Sequence, residues 1–550
     1  MKTSNRKFIK LYSIMAFIFL GVLGNSQTQA ADTHTLVGTN NCAIDTPALK
    51  NKVKYATYGA TINLKGEFCI NQAIEIKNKS ALTIRGQGMG NTTLNLKPNH
   101  LDGFILSGVI TDLLLEKFTI RGSATTGEAN NGTKRQVGIK NNLYGATVTR
   151  GRFRNLEFDK LITGMDLNGS ETSSIIDCEI THNYFHDIKG TVFLMIDNVP
   201  KWGTGYGIHS AEMKNLTISD NRFERTGRHA IYQSYNKEQS SGHVLIKNNV
   251  FIGHGSESDG SSAFGPTVQG NKYAAAVVIA RSNNVTAAFN KFIDSRTVAL
   301  SVEKSNIWAP SNVHLIANRF FAGKYPAPGD IWLENAANVI FWMNTNQSGN
   351  EPHCIDGPYG TRYRCNSSSP INDITDNGKF WAGTQAITEM DGYYYVMQNN
   401  MLHRVKPNYG QDPSTWSYTY STTNWSGFQA MEVADNGALY IMQNNLLHKV
   451  TPGSHGTIWP YIYSIQNWSG FQAMKAVDNG TLFIMQNNYL HKVTPGSHGT
   501  YWPYIYSTTN WFNFSGLEAV NDDELYIMQN GLLHMVTPGP HGTYWNYDIR

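Results

Sequence analysis

One phrase recurs along residues 180–344: a strand-like run, an Asn, one further residue, then Phe. It appears as Ile180 to Asn183 and Phe185, Ile218 to Asn221 and Phe223, and Ile246 to Asn249 and Phe251. It continues as Ala287 to Asn290 and Phe292, then Leu315 to Asn318 and Phe320, with an imperfect copy around Asn344. The Asn residues are spaced by 38, 28, 41, 28 and 26 positions. A hairpin repeats on a shorter scale, so the interval points to a solenoid of stacked coils. No unit of this size buries its apolar face alone, and neighbours must stack. An Asn at one turn of each coil is expected to take the left-handed conformation and to bond its copy in the next coil. The Phe two residues on is expected to point inward and stack on its counterpart. A β-sandwich is disfavoured, because it has no reason to repeat one turn residue.

The preceding segment fits the same plan. Gly59 to Leu64 reads as a turn feeding a strand that ends at Gly66. Ile74 to Lys77, Leu82 to Gly90 and Thr93 to Leu96 follow as short strands with a glycine-rich turn. The run Leu82-Thr-Ile-Arg-Gly-Gln-Gly88 resembles the first coils of pectate-lyase-like proteins. The resemblance covers roughly residues 43–350 and implies an all-β, right-handed parallel β-helix. It also implies an activity on polysaccharides as a lyase, a glycoside hydrolase or a uronan epimerase. Its motifs specify the fold better than the reaction.

The intervals of 38 and 41 carry insertions, Thr191–Tyr206 and Gly253–Tyr273. Long loops on a rigid solenoid form functional walls. Strand starts between them align as Gly138-Ile-Lys140, Gly164-Met-Asp166, Gly207-Ile-His209, Ala230-Ile-Tyr232 and Ala276-Val-Val278. The middle residue is always apolar and faces the core, so alternation sends the third outward. Lys140, Asp166, His209 and Tyr232 are thus expected as a ladder on one outer face. Arg228, two positions before Ala230, is expected to share it, and His229 stands at the strand entry. Trp202 on the first insertion and Arg281 beyond the last strand are further candidates for holding substrate, with Asp166.

These side chains have the parts for β-elimination on a uronic-acid polymer. A cation neutralises the sugar carboxylate and acidifies the neighbouring C5 proton. A base removes that proton, and an acid protonates the leaving oxygen. Arg228 or Lys140 is the candidate neutraliser, His209 or His229 the base, and Tyr232 the acid, or base and acid in turn. Hydrolysis would need two carboxylates roughly 5–10 Å apart. Asp166, Asp187, Glu212 and Asp220 are available, but no pair stands out. Gly253-His254-Gly255 stands alone without the paired aspartates that would give it meaning. No metal centre or cofactor is expected, although Glu257 and Asp259 leave a weak case for calcium.

From residue 381 a second repeat begins. Trp381, Trp425, Trp468 and Trp511 open four copies spaced by 44, 43 and 43 residues. Each carries a Met-Gln-Asn phrase and then Leu-His, ending at His403, His448, His491 and His534. Each holds about four strand-like runs, the size of a propeller blade. The pattern is similar to tectonin and tachylectin-type lectin propellers, which implies sugar binding at the repeats. Trp425, Asn444, His448, Trp468, Asn487 and His491 are the candidates, since rings stack on sugars and amides bond hydroxyls. Several weak sites on one polymer reinforce each other. Trp and Met as plain core is the competing expectation.

The ends and the cysteines place the chain. Lys2, Arg6, Lys7 and Lys10 precede the apolar run Leu11 to Leu23, and Thr28-Gln-Ala30 offers a cleavage site. Residues 1–30 therefore read as a secretory signal peptide, residues 31–365 as the β-helix, 366–380 as a linker and 381–550 as the repeat domain. No later stretch has the roughly 18 uninterrupted apolar residues of a membrane span. Export to an oxidising compartment suits the predicted disulfides Cys42–Cys69 and Cys354–Cys365, with Cys178 a buried free thiol. Net charge is only +4 over 550 residues, with no basic run to suggest nucleic acid. The expected partner is an anionic polysaccharide, met by a secreted monomer. The alternative is an adhesin that grips glycan without cleaving it.

Overall fold

The computed structural model describes residues 32–549, apart from 98–100, 125–135, 170–173, 190, 197–198, 237–241, 255–274, 296–297, 304–309, 311, 323–330, 335–338, 347–351, 357–361, 365–382, 410–414, 435–436 and 478. The proposed signal peptide, Glu257, Asp259, Cys365 and Trp381 lie outside these residues.

The first part is a parallel β-helix. One column of strands runs Ser174–Thr181, Met213–Ser219, Val244–Lys247, Val285–Ala288, Val313–Ile316 and Val339–Trp342, each parallel to the next. A second runs Tyr184–Ile188, Arg222–Thr226, Val250–Ile252, Lys291–Ser295 and Arg319–Ala322. A third runs Val137–Thr149, Thr163–Asn168, Tyr206–Ala211, His229–Asn236, Val277–Ser282 and Leu300–Glu303. Alternation turns one residue in two of each strand to the inside, and the inward set forms one continuous core from Leu49 to Cys354. The helix Cys42–Tyr55 covers the first coil with Leu49 and Val53. Its N-cap Asn41 accepts from the Ala43 amide, and Cys42 is bonded to Cys69. Cys354 is disulfide-bonded, and Cys178 is the free, buried cysteine among the described residues.

The Asn column holds the coils in register. In each coil Asn221, Asn249, Asn290 and Asn318 donate from Nδ2 to the Asn of the next coil at 2.9–3.0 Å, as Asn183 does. The same oxygens accept the backbone N–H of the preceding Asn. Behind them Phe158, Phe185, Phe223, Phe251, Phe292 and Phe320 stack at 4.5–5.0 Å. One expectation is corrected here. The left-handed conformation belongs to the residue before each Asn: His182, Asp220, Asn248, Phe289, Ala317 and Met343 all have φ between 51° and 57°. That turn aims the Asn itself inward, where its amide is buried.

The second part is four four-stranded antiparallel sheets. They begin with Thr384–Met390, Phe428–Ala434, Phe471–Ala476 and Phe514–Asn521. The sheets pack face to face. Tyr395, Met397 and Leu402 of the first meet Leu439, Ile441 and Val450 of the second, and the pattern repeats down the series. The outer face of the first sheet, with Tyr394, Val396 and Trp416, packs on Ala288, Ile316 and Ala317 of the β-helix. The outer face of the fourth, with Tyr526, Met528 and Leu533, packs on Ile252, Ile293 and Phe321. Among the described residues no helix is long and apolar enough to cross a membrane.

Candidate active site

The outward ladder lies in the third column. Ile139, Met165, Ile208 and Ile231 are buried in the core. Strict alternation then exposes the next residue of each strand. Lys140 is paired in register with Asp166, Asp166 with His209, and His209 with Tyr232. The glycines that open these strands are required by close approach. A Cβ on Gly164 or Gly207 would stand 2.6 Å or 2.5 Å from the next coil's carbonyl oxygen and strike Phe185 or Phe223.

His209 is the hub. Its Nδ1 lies 2.9 Å from Asp166 Oδ1, and its Nε2 lies 2.9 Å from Ser234 Oγ. Asn168 Nδ2 donates to the same Asp166 oxygen. The ring stacks on Tyr232 at 5.2 Å and meets Tyr206 at 5.2 Å. Tyr206 also stacks on Tyr232 and His229, so four rings form one cluster. Burial pushes the Tyr232 phenol up to about 12, and the charges of Arg228 and Arg281 oppose that rise. At neutral pH this phenol holds its proton.

Not every candidate is free to meet a substrate. Arg228 is buried rather than outward, with Nη1 donating to Tyr206 Oη at 2.6 Å. It lies over the Tyr206 ring, supplied by the coil before it. His229 is also buried, and its Nδ1 bonds the Ala275 carbonyl at 2.8 Å. Burial, with Arg228 beside it, holds the His229 imidazole well below its usual range. It is therefore a neutral ring with its proton on Nδ1. Lys140 forms an ion pair with Asp102. Arg281 is exposed and stands at φ 53° near the end of Val277–Ser282. Trp202 lies on Val199–Thr204, which pairs antiparallel with Thr191–Ile196, but its side chain is outside the described residues. Ser234, Tyr206 and Asn168 are the members that sequence reasoning missed. Ser234 carries a usable signal: it lies two positions past Tyr232 and so shares its face.

A second polar cluster lies on the next column. Asp159, His186 and Asp187 have ligand atoms within 4.8 Å of one another. His186 bonds Glu157 at 2.9 Å and Asp187 at 2.8 Å. Arg225 pairs with Asp187 and Arg121 with Asp159. Burial lowers the His186 pKa, but Glu157, Asp187 and Asp159 around it outweigh that and raise it. His254, by contrast, is buried and bonds only Thr226 through Nδ1 among the described contacts.

In the C-terminal sheets Trp425 and Trp468 are 1% and 0% exposed, and their rings are core. Neither has a face free for stacking on a sugar. Asn444 and Asn487 are exposed turn residues with φ 48°, each followed by an Asn at positive φ. Two successive positive φ values are what a tight two-residue hairpin requires, which explains why Asn-Asn recurs. His448 and His491 pack edge-on against Trp425 and Trp468 at 5.5 and 5.4 Å.

Residues 55–320 match the family described as right handed beta helix region. No curated protein matches the chain. Among solved structures it is similar to the alginate lyase of Paenibacillus sp. str. FPU-7, with 16% identity and a TM-score of 0.38 over 56% of this chain and 95% of that one. The endo-xylogalacturonan hydrolase of Aspergillus tubingensis gives 11% and 0.36 over 60% and 90%. The A-module of a mannuronan C-5 epimerase from Azotobacter vinelandii gives 12% and 0.34 over 57% and 85%.

Proposed function

We propose that this chain is an exported polysaccharide lyase that cleaves a uronic-acid polymer by β-elimination on the Asp166–His209–Tyr232 face. The observation that carries this reading is the pairing of an Asp-held imidazole with a protonated phenol stacked 5.2 Å from it. Asp166 accepts from Nδ1 and so fixes the tautomer, which leaves Nε2 as the base. Arg281, exposed beside Tyr232, neutralises the uronate carboxylate and lowers the cost of removing the C5 proton. Nε2 takes that proton as Ser234 yields its hydrogen bond. Tyr232 gives its proton to the departing glycosidic oxygen. Arg228 and Lys140, engaged with Tyr206 and Asp102, shape the site rather than touch the sugar.

The repeats are proposed to hold the same glycan. In three of them the indole Nε1 (Trp425, Trp468, Trp511) and the histidine Nδ1 (His448, His491, His534) are buried without a hydrogen-bond partner. Buried polar groups seek partners, and sugar hydroxyls would supply them without stacking if binding opened the cover over these atoms. The disulfide and the leader-like N-terminus suit a secreted protein.

The test is to follow the ultraviolet absorbance of the unsaturated uronate over a panel of acidic polysaccharides. Tyr232→Phe should reduce the rate by about a hundred-fold or more with circular dichroism unchanged. A folded Tyr232→Phe that retains full activity would overturn the assignment. New reducing ends without absorbance would mean hydrolysis, an altered uronate epimer ratio without cleavage an epimerase, and binding alone an adhesin.

A further inference from the structure

Ser234 is unexplained by elimination. Serines that only tie coils together lie inside: Ser210 is fully buried and its Oγ bonds Gln233. Ser234 instead points outward on the candidate face and is partly exposed. Its Oγ is 2.9 Å from His209 Nε2, and His209 Nδ1 is 2.9 Å from Asp166 Oδ1. The three groups stand on three successive coils, in Thr163–Asn168, Tyr206–Ala211 and His229–Asn236. Asn168 holds the carboxylate, and Tyr232 and Tyr206 hold the imidazole plane. Nucleophile, base and orienting acid are thus in line, the arrangement that activates a hydroxyl.

We infer that Ser234, His209 and Asp166 form a nucleophilic ester-cleaving site whose substrate is an O-acyl group on a sugar hydroxyl. It rests on the reading that this face holds glycan, but it does not require elimination. Ser234 Oγ attacks the acyl carbon as its proton passes to His209 Nε2. The carbon–oxygen bond to the sugar breaks, and that oxygen takes the proton from Nε2. Water then attacks the acyl-serine, gives a proton to Nε2, and the free acid leaves as Oγ is reprotonated. Arg281 follows Ala280, the register partner of Ser234, and places a positive charge beside the developing oxyanion. Ester cleavage and elimination would share His209, so removal of an acyl group and cleavage of the bared chain would be successive reactions of one face.

The test needs no glycan to begin with. The full-length protein is treated with diisopropyl fluorophosphate and the adduct is mapped by mass spectrometry. A phosphorylated Ser234 is expected, and Asp166→Asn should slow labelling by at least about ten-fold by releasing the wrong tautomer. In parallel, acetate release is measured from O-acetylated and deacetylated polyuronate. Ser234→Ala should lower release from the acetylated polymer by about a thousand-fold. A natively folded protein that leaves Ser234 unmodified, or a Ser234→Ala variant that still releases acetate, would overturn the inference. Acetate release without ultraviolet absorbance would sustain it while removing the lyase reading. Absorbance with no acetate release and no adduct would do the reverse.

Discussion

The Asn column offers the sharpest test of what holds the coils together. The Asn249 side chain makes four hydrogen bonds. Its Nδ2 donates to the Ile218 carbonyl and to Asn290 Oδ1 at 3.0 Å each. Its Oδ1 accepts from the Asn221 backbone N–H at 3.1 Å and from Asn221 Nδ2 at 3.0 Å. All four are buried. At about 1 kcal/mol net for each bond, Asn249→Ala should cost about 4 kcal/mol, or about 6 °C in melting temperature for a domain of this length. Asn344 ends the column with three such bonds, so Asn344→Ala should cost less. Asn249→Asp should cost at least as much as Ala, because a carboxylate would face the two acceptors that Nδ2 now serves. Urea unfolding gives the magnitude. Hydrogen exchange gives the place: the Asn221 amide, left without its acceptor, should lose protection first. If Asn249→Ala costs under about 1 kcal/mol, or if Asp is as stable as Asn, the column is not what fixes the register.

Acid should weaken the fold. Burial lowers the pKa values of His243 and His254 to about 3. Once pH falls below about 6.5 the unfolded chain binds protons there and the folded chain does not, so stability declines from that point down to about pH 3, by up to roughly 1.4 kcal/mol per pH unit for each histidine. Chemical denaturation at several pH values checks the slope, which His243→Gln should make shallower. At the contact between the two parts, the half-buried Arg319 lies 3.2 Å from Glu432 and 3.3 Å from the buried Glu518. Arg319→Met should destabilise by about 1–3 kcal/mol because it strips one of three cationic partners from the buried Glu518, and limited proteolysis should then cut the C-terminal sheets first. Adding Glu518→Gln should recover part of the loss.

The coil period was legible because one turn residue and one core residue repeat at fixed offsets. What that pattern hid was the coil before Asn183, where Leu156 occupies the Asn slot and its backbone N–H donates to Asn183 Oδ1. Phe158 still stacks there, so a search for Phe alone would have found it. The outward ladder followed from strand alternation and from glycines that must clear the Phe stack. The burial of Arg228 did not follow, since it depends on Tyr206, which lies 22 residues earlier and meets it only through stacking. The repeats of the C-terminal part were plain, but whether a tryptophan lies in a core or on a surface depends on which sheet covers it. That information is carried by the neighbouring copy and not by the phrase itself.

One signal for the joining of the two parts was present in the sequence and has a physical cause. The left-handed position before each Asn is polar in three coils, as His182, Asp220 and Asn248, and then apolar in the next three, as Phe289, Ala317 and Met343. Such residues resist this conformation, and only burial offsets the cost. The change coincides with the cover: Ala317 is buried against the first C-terminal sheet, with Phe289 and Met343 packed alongside. Each sheet packs one face on the sheet before it and the other on the sheet after it, so a row of four ends in two unlike faces. The β-helix supplies partners for both, apolar at Ile316 and Phe321 and cationic between them, where Arg319 and Lys291 meet the buried Glu518. Against the burial that raises it, Lys291, Lys475 and Arg319 hold the Glu518 carboxyl below the usual range. The solenoid therefore covers the outer face of the first sheet and the outer face of the fourth, the two that the row of sheets leaves without a neighbour.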